Sequence, residues 1–246
     1  MNVSRFLFTL SAGLIVGCFA AVCWAQAPAR SNLGKSAHAH LQQGKTQFEQ
    51  KHYAAAVRSF SAAIRRDPQN SEAYMLRGKS YNNMGMPQAA VKDLNRYVEL
   101  NPSDAAGYIQ RGDVHNFNSD PEAALSDYNI ALKLSPSSVS ARLGRGLAYV
   151  AMEKYSEAIK DYQWILRVKP ENTEALGNLG IACMLAGRPM EAMSYFEKTL
   201  ALERDPEWRT RIEKLSEKLL QDPNFAKKPV QAAPIKSPAG PTKNLW

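Results

Sequence analysis

Arginine and aspartate recur together in this chain at one spacing. Arg77, Arg111 and Arg145 are each followed sixteen residues later by Asp93, Asp127 and Asp161. The stretches on either side lack both partners, carrying Gln43 with Ser59 and Leu179 with Tyr195 at the same offsets. A carboxylate and a guanidinium that come and go together are expected to be ion-paired. Pairing each Asp with the Arg sixteen residues before it satisfies all three pairs, whereas pairing it with the next Arg along strands Arg77 and Asp161. The chemistry is therefore structural: close-packed helices would otherwise hold unpaired charges out of water. The other chemistry-bearing residues are sparse. His38, His40, His52 and His115 have no metal-ligand spacing, since residues two apart point to different sides of a helix. The glycines are spaced for packing and form no phosphate-cradling loop. No catalytic residue, metal site or cofactor follows from this inventory.

The elements that position these residues are written as a repeat. Gly44, Gly78, Gly112, Gly146 and Gly180 stand 34 residues apart, and Ala56, Ala90, Ala124, Ala158 and Ala192 keep the same interval. So do Pro68, Pro102, Pro136 and Pro170. With each glycine in the eighth position, repeats begin at Ala37, Ser71, Ala105, Val139 and Thr173. The residue before each start is Ser36, Asn70, Asp104, Ser138 or Asn172, all side chains able to cap a helix N-terminus. The prolines, two residues before the last four caps, end the preceding helix. Each repeat thus reads as two helices. The small residues allow the backbones to approach, and Phe60, Leu94, Tyr128, Tyr162 and Phe196 at the twenty-fourth position fill the space beside them. One such pair cannot bury its own apolar stripe, so neighbours must stack.

The Gly, Ala, aromatic and Pro positions resemble those of the tetratricopeptide repeat family, over five consecutive units. That resemblance implies an all-α fold, a right-handed α-solenoid of stacked antiparallel helix pairs. The expected organisation is an export signal at 1–25, a linker at 26–36, repeats at 37–70, 71–104, 105–138, 139–172 and 173–205, a capping helix at 206–222 and a tail at 223–246. The twenty-seventh position, small in the family, holds Tyr97, Ile165 and Thr199, where irregular stacking is expected. Asp205-Pro206-Glu207 opens the capping helix, with Trp208, Ile212, Leu215 and Leu219 on one stripe.

The resemblance also implies where a ligand would lie: a concave groove lined by the first helices at their second, fifth, ninth, twelfth and thirteenth positions. In the first three repeats these supply Lys45, Lys79, Asn82, Asn83, Asp113 and Asn116, and in the last two Leu143, Leu147, Val150, Ile181, Met184 and Leu185. A two-toned groove follows, polar at one end and apolar at the other, with packing against the capping helix or the tail as the alternative use of the apolar end. The carboxylate clamp that some family members use is not reproduced, because Lys45 stands where it wants Asn and Leu41 where it wants Lys. Trp164, at the twenty-sixth position, is expected on the outer side of a second helix, as a surface anchor or covered by the stems of Lys and Arg.

The ends speak to location. Arg5 followed by an apolar run from Phe6 to Trp24 and by Ala25 reads as an export signal, with a mature chain starting near Gln26. Ile15-Val16-Gly17-Cys18 resembles a bacterial lipobox, which would make Cys18 an acylated first residue, and the run is also long enough for a retained anchor. The formal net charge is +8; the tail from Pro223 contributes four lysines and no acid, and reads as disordered. Its charge suits anionic surfaces, while no basic stripe with interleaved aromatics marks a nucleic-acid groove. Removal of the signal would leave Cys183 as the only thiol, assigned to the core. The sequence as a whole reads as a non-enzymatic, exported scaffold for a protein or peptide partner. A lipoprotein assembly factor and an accessory subunit of an enzyme complex are the alternatives.

Overall fold

The computed structural model describes residues 36–221. The export signal with Cys18 and the basic tail therefore lie outside the described residues. Among those described there are eleven helices and no strand: α1 (36–49), α2 (Tyr53–Arg66), α3 (Ser71–Asn83), α4 (Pro87–Leu100), α5 (Ala105–Phe117), α6 (Pro121–Leu134), α7 (Val139–Ala151), α8 (Tyr155–Val168), α9 (Thr173–Leu185), α10 (Pro189–Leu202) and α11 (Pro206–Gln221). None of these helices is long and apolar enough to cross a membrane. The described residues divide into two compact units, one ending at Ala73 and the other starting at Tyr74.

The capping side chains do what their chemistry permits. Asn70, Asp104, Ser138 and Asn172 each accept a hydrogen bond from a first-turn amide, and Asp205 does the same at α11. Ser36 is already inside α1. The turns between paired helices show a feature that the glycine count conceals. Lys51, Gly85, Ser119, Glu153 and Gly187, at the fifteenth position of each repeat, all have φ between 57° and 74°. The amide after each returns to a carbonyl five residues back, as in Met86 to Tyr81 and Lys154 to Tyr149, which closes the preceding helix in a Schellman turn. Only two of the five positions hold glycine, so three accept a left-handed strain.

In the first unit, α1 and α2 pack through Gly44, whose missing side chain makes room for the Phe60 ring. Ala56, Phe60 and Ala63 are fully buried there. The second unit repeats this contact four times. A Cβ on Gly78, Gly112, Gly146 or Gly180 would lie 2.5–3.1 Å from Leu94, Tyr128, Tyr162 or Phe196 respectively. Successive helices from α4 to α11 pack against one another in order, the stacking of a helical solenoid.

The large residues at the twenty-seventh position do not interrupt this stacking. The Tyr97 ring sits against Gly107 of the next helix, Ile165 is fully buried, and the Thr199 hydroxyl donates to the Tyr195 carbonyl. A small residue opposite, or a hydrogen bond to the residue's own helix, absorbs what the family's small residue normally would. Similarly, Trp208 of α11 is buried against Gly177, and Ile212, Leu215 and Leu219 join it in the interior.

Candidate ligand groove

The three Arg–Asp pairs close within their own repeats. Each arginine meets its aspartate through Nε and Nη2 at once: 2.7 and 2.7 Å for Arg77–Asp93, 2.9 and 2.6 Å for Arg111–Asp127, 2.7 and 2.7 Å for Arg145–Asp161. The same guanidiniums reach backward as well. Arg111 donates to Asn95 and Arg145 to Asn129, each asparagine belonging to the preceding repeat. The pairs are thus rungs that tie repeats 2, 3 and 4 together. They are bidentate, with each aspartate buried and each arginine partly so, and they serve packing.

Beside these rungs a cavity of about 260 Å³ opens among the first helices α3, α5 and α7. Met75, Lys79, Ala106, Ile109, Gln110, Asp113 and Ser140 line it. Every one except Gln110 occupies a second, fifth or ninth position of its repeat. The side chains Met75, Ala106, Ile109 and Ser140 were reachable by the same position rule that points to Lys79 and Asp113; Gln110, at a sixth position, was not.

Asp113 is the unusual group. It is buried, and burial pushes its carboxyl up to about 7 even though the Tyr128 hydroxyl and the Lys79 charge both pull it down. Tyr128 donates to Asp113 at 2.8 Å and accepts from Asn116 Nδ2 at 3.1 Å. Asn116 also donates to the Gly144 carbonyl, so its amide is committed to the frame. Gln110 Nε2 approaches the other Asp113 oxygen at 3.3 Å. Burial lowers the Lys79 ammonium, and Asp113 opposes that shift. An ammonium and a carboxyl poised near neutrality face one small cavity, which suits a ligand with paired donors and acceptors such as a peptide backbone.

The remaining candidates fall elsewhere. Lys45 lies in the first unit and is paired with Glu72 at 2.6 Å. Asn83 donates to the carbonyl of Lys79 in its own helix. Asn82 keeps a buried Oδ1 that has no partner among the described residues. Leu143, Leu147, Val150, Ile181 and Met184 are interior, at most 5% exposed, in one apolar cluster with Trp208, Ile212, Leu215 and Leu219 of α11; Leu185 packs at its edge. The apolar half of the expected groove is therefore core rather than an open face, because long aliphatic chains on α7 and α9 complete the same interior that α11 enters.

Trp164 is half-buried rather than free. The Arg142 guanidinium lies 3.9 Å from its ring centroid and also reaches Asp161 at 3.4 Å. Cys183 is buried, and burial pushes its thiol up to about 11. His115 lies near Asp120 and Asp127, but no group of three potential metal ligands exists among the described residues.

The tetratricopeptide repeat family model matches residues 41–106, 109–151 and 144–207. The chain belongs to the tetratricopeptide repeat family. No curated protein matches it in sequence. Among solved structures, MamA from Desulfovibrio magneticus RS-1 is 21% identical, with 71% of this chain and 99% of that chain covered at a TM-score of 0.65. PilF of Pseudomonas aeruginosa is 15% identical over 80% of this chain and 89% of that chain, with a TM-score of 0.65. YrrB, described as a tetratricopeptide repeat protein with an unusual peptide-binding site, is 16% identical over 71% of this chain and 90% of that chain, with a TM-score of 0.58. At these identities the likeness is one of fold.

Proposed function

We propose that this tetratricopeptide repeat protein is a non-catalytic scaffold that holds a peptide segment of a partner protein at the Lys79–Asp113 cavity. The observation that carries the reading is the convergence of six second-, fifth- and ninth-position side chains from three first helices, Lys79 and Asp113 among them, on one small opening. A solved relative in fold, YrrB, is itself described as having a peptide-binding site. Lys79 would meet a carbonyl or carboxylate of the segment, and Asp113, in its protonated form, would donate to a second acceptor. Met75 and Ile109 supply apolar contact at the rim.

The test is capture of a partner from an extract of the source cells by the full-length chain, with Lys79→Glu and Asp113→Leu compared at equal folded fraction. Loss of a discrete partner in both variants is expected. Capture unchanged in both would place recognition elsewhere.

We further infer that the scaffold works in the bacterial cell envelope, from the signal-like run Phe6 to Trp24. The lipobox-like Ile15-Val16-Gly17-Cys18 supports a second reading, an acylated assembly factor held at a membrane. Intact mass of the native protein separates them: a soluble chain starting near Gln26 supports the free scaffold, and a membrane-bound chain starting at lipid-modified Cys18 supports the anchored one.

A further inference from the structure

At two successive junctions of the second unit, the fourth-position side chain of one repeat donates to the proline carbonyl of the repeat before it. At the junction of repeats 2 and 3, the fourth-position Tyr108 hydroxyl donates to the carbonyl of Pro102. At the junction of repeats 3 and 4, fourth-position Arg142 donates to the carbonyl of Pro136, reaches Asp161 and covers the Trp164 ring. Between repeats 4 and 5 every one of these parts is replaced. Leu176 stands for Arg142 and has no donor for Pro170, Tyr195 stands for Asp161, and Lys198 stands for Trp164.

What results is a cavity of about 630 Å³ between α8, α9 and α10, more than twice the size of the groove cavity. Leu166, Pro170, Leu176 and Tyr195 form its apolar walls, Gln163 adds an amide, and Lys160, Arg167 and Lys198 bring three cations. No acid is among its lining residues. All three cations are exposed, and none has an ion-pair partner among the described residues. The Lys198 ammonium lies over the Tyr195 ring, 5.6 Å from its centroid. At the preceding junction the Arg142 charge is met by Asp161 at 3.4 Å, whereas here the three cations are offered outward.

We propose that this cavity is a second docking site, separate from the first-helix groove, for an acidic peptide segment of a partner protein: an apolar side chain enters between Leu166, Leu176 and Tyr195, and flanking carboxylates meet Lys160, Arg167 and Lys198. The volume, about 630 Å³, is within the range of small-ligand pockets and has room for more than one side chain. Three cations with no acid among the lining residues set the sign of the ligand's charge. The apolar walls favour a peptide over a bare phosphate surface, which would need only the charges.

The probe is a short fluorescein-labelled peptide with one leucine flanked on both sides by glutamates, titrated into the full-length chain at low salt. Its counterpart has lysines in place of the glutamates. Binding of the acidic peptide alone is expected. Arg167→Glu with Lys198→Glu should weaken it tenfold or more, and Lys79→Glu, in the other cavity, should leave it within twofold. Leu176→Arg with Lys198→Trp, which rebuilds the Arg142–Trp164 stack, should abolish binding; should that core variant fail to fold, the exposed charge reversals still decide.

Equal binding of the basic peptide, or an effect of the charge reversals below twofold, overturns the proposal. So does binding to vesicles of anionic phospholipid with none to the peptide, which would make the site a membrane contact. Binding that emerges only after deletion of residues 223–246 also overturns it, since the chain's own C-terminus would then be the occupant. Loss of binding with Lys79→Glu would assign the peptide to the groove instead.

Discussion

Repeats 3 and 4 place tyrosines at the same position and use them oppositely. Tyr128 and Tyr162 are both fully buried against the glycine of their own repeat. Tyr128 is hydrogen-bonded to Asp113 and Asn116, and its ring also fills the space left by Gly144 in the next repeat. Around Tyr162 the matching positions are Leu147, Val150 and Asn178, and the hydroxyl has no partner among the described residues. The chain thus changes character within one 34-residue step, from a hydrogen-bonded polar frame around Tyr128 to an apolar interior joined to α11, while both repeats keep an Arg–Asp rung. The same backbone pattern supports both, because the Gly–aromatic contact fixes helix spacing while other positions vary.

The largest loss should come from cutting the rung that repeat 4 shares with repeat 3. Arg145→Leu leaves Asp161, 4% exposed, with only Arg142 nearby at 3.4 Å, and about 3 kcal/mol of stability should be lost. Lys198→Leu, at the open junction, should change stability by less than about 0.5 kcal/mol. Urea denaturation of both variants measures the difference.

Asp113 gives the polar side a pH signature that Leu147 cannot give the apolar side. Its folded value, about 7, lies above its unfolded one near 3.8, so the native chain holds an extra proton between those values. Stability contributed by this group is present below about pH 4, falls as pH rises, and levels off above about 7. The change is on the order of 2–4 kcal/mol. Asp113→Asn should flatten that part of the pH–stability curve, as followed by thermal melts from pH 4 to 8.

The tyrosines themselves should diverge under one substitution. Tyr128→Phe leaves Asp113 and Asn116 short of a partner and should cost about 1–2 kcal/mol. Tyr162→Phe removes a hydroxyl that bonds to no described residue and should be neutral or stabilising by up to about 1 kcal/mol. Equal losses would show that Tyr162 has a partner in solution.

The smallest effect lies in the turns. Gly187 takes the left-handed conformation in repeat 5 without a side chain, whereas Glu153 takes it in repeat 4 at φ 57°. Glu153→Gly should raise stability by about 0.5–1 kcal/mol, visible as a higher melting temperature.

Much of the fold is legible in the chain because its interval is redundant: five copies of one Gly, Ala and large-residue pattern state the helix pairing over and over. The sixteen-residue offset of arginine and aspartate is legible for the same reason. The left-handed turns were not, because Lys51, Ser119 and Glu153 carry no mark of the strain that a Schellman closure imposes on them. Nor was the fate of Leu147, Ile181 and Met184, since a groove-lining position and a core position ask for the same aliphatic side chain when α11 enters the interior.

By itself, then, the sequence determined the helices, their caps, their 34-residue repetition and the family, all properties of local spacing. Only the tertiary structure decided which positions are open. Exposure depends on what neighbouring repeats bring across each junction. Arg142 stacks on Trp164 at one junction, and at the next Leu176 and Lys198 line an open cavity.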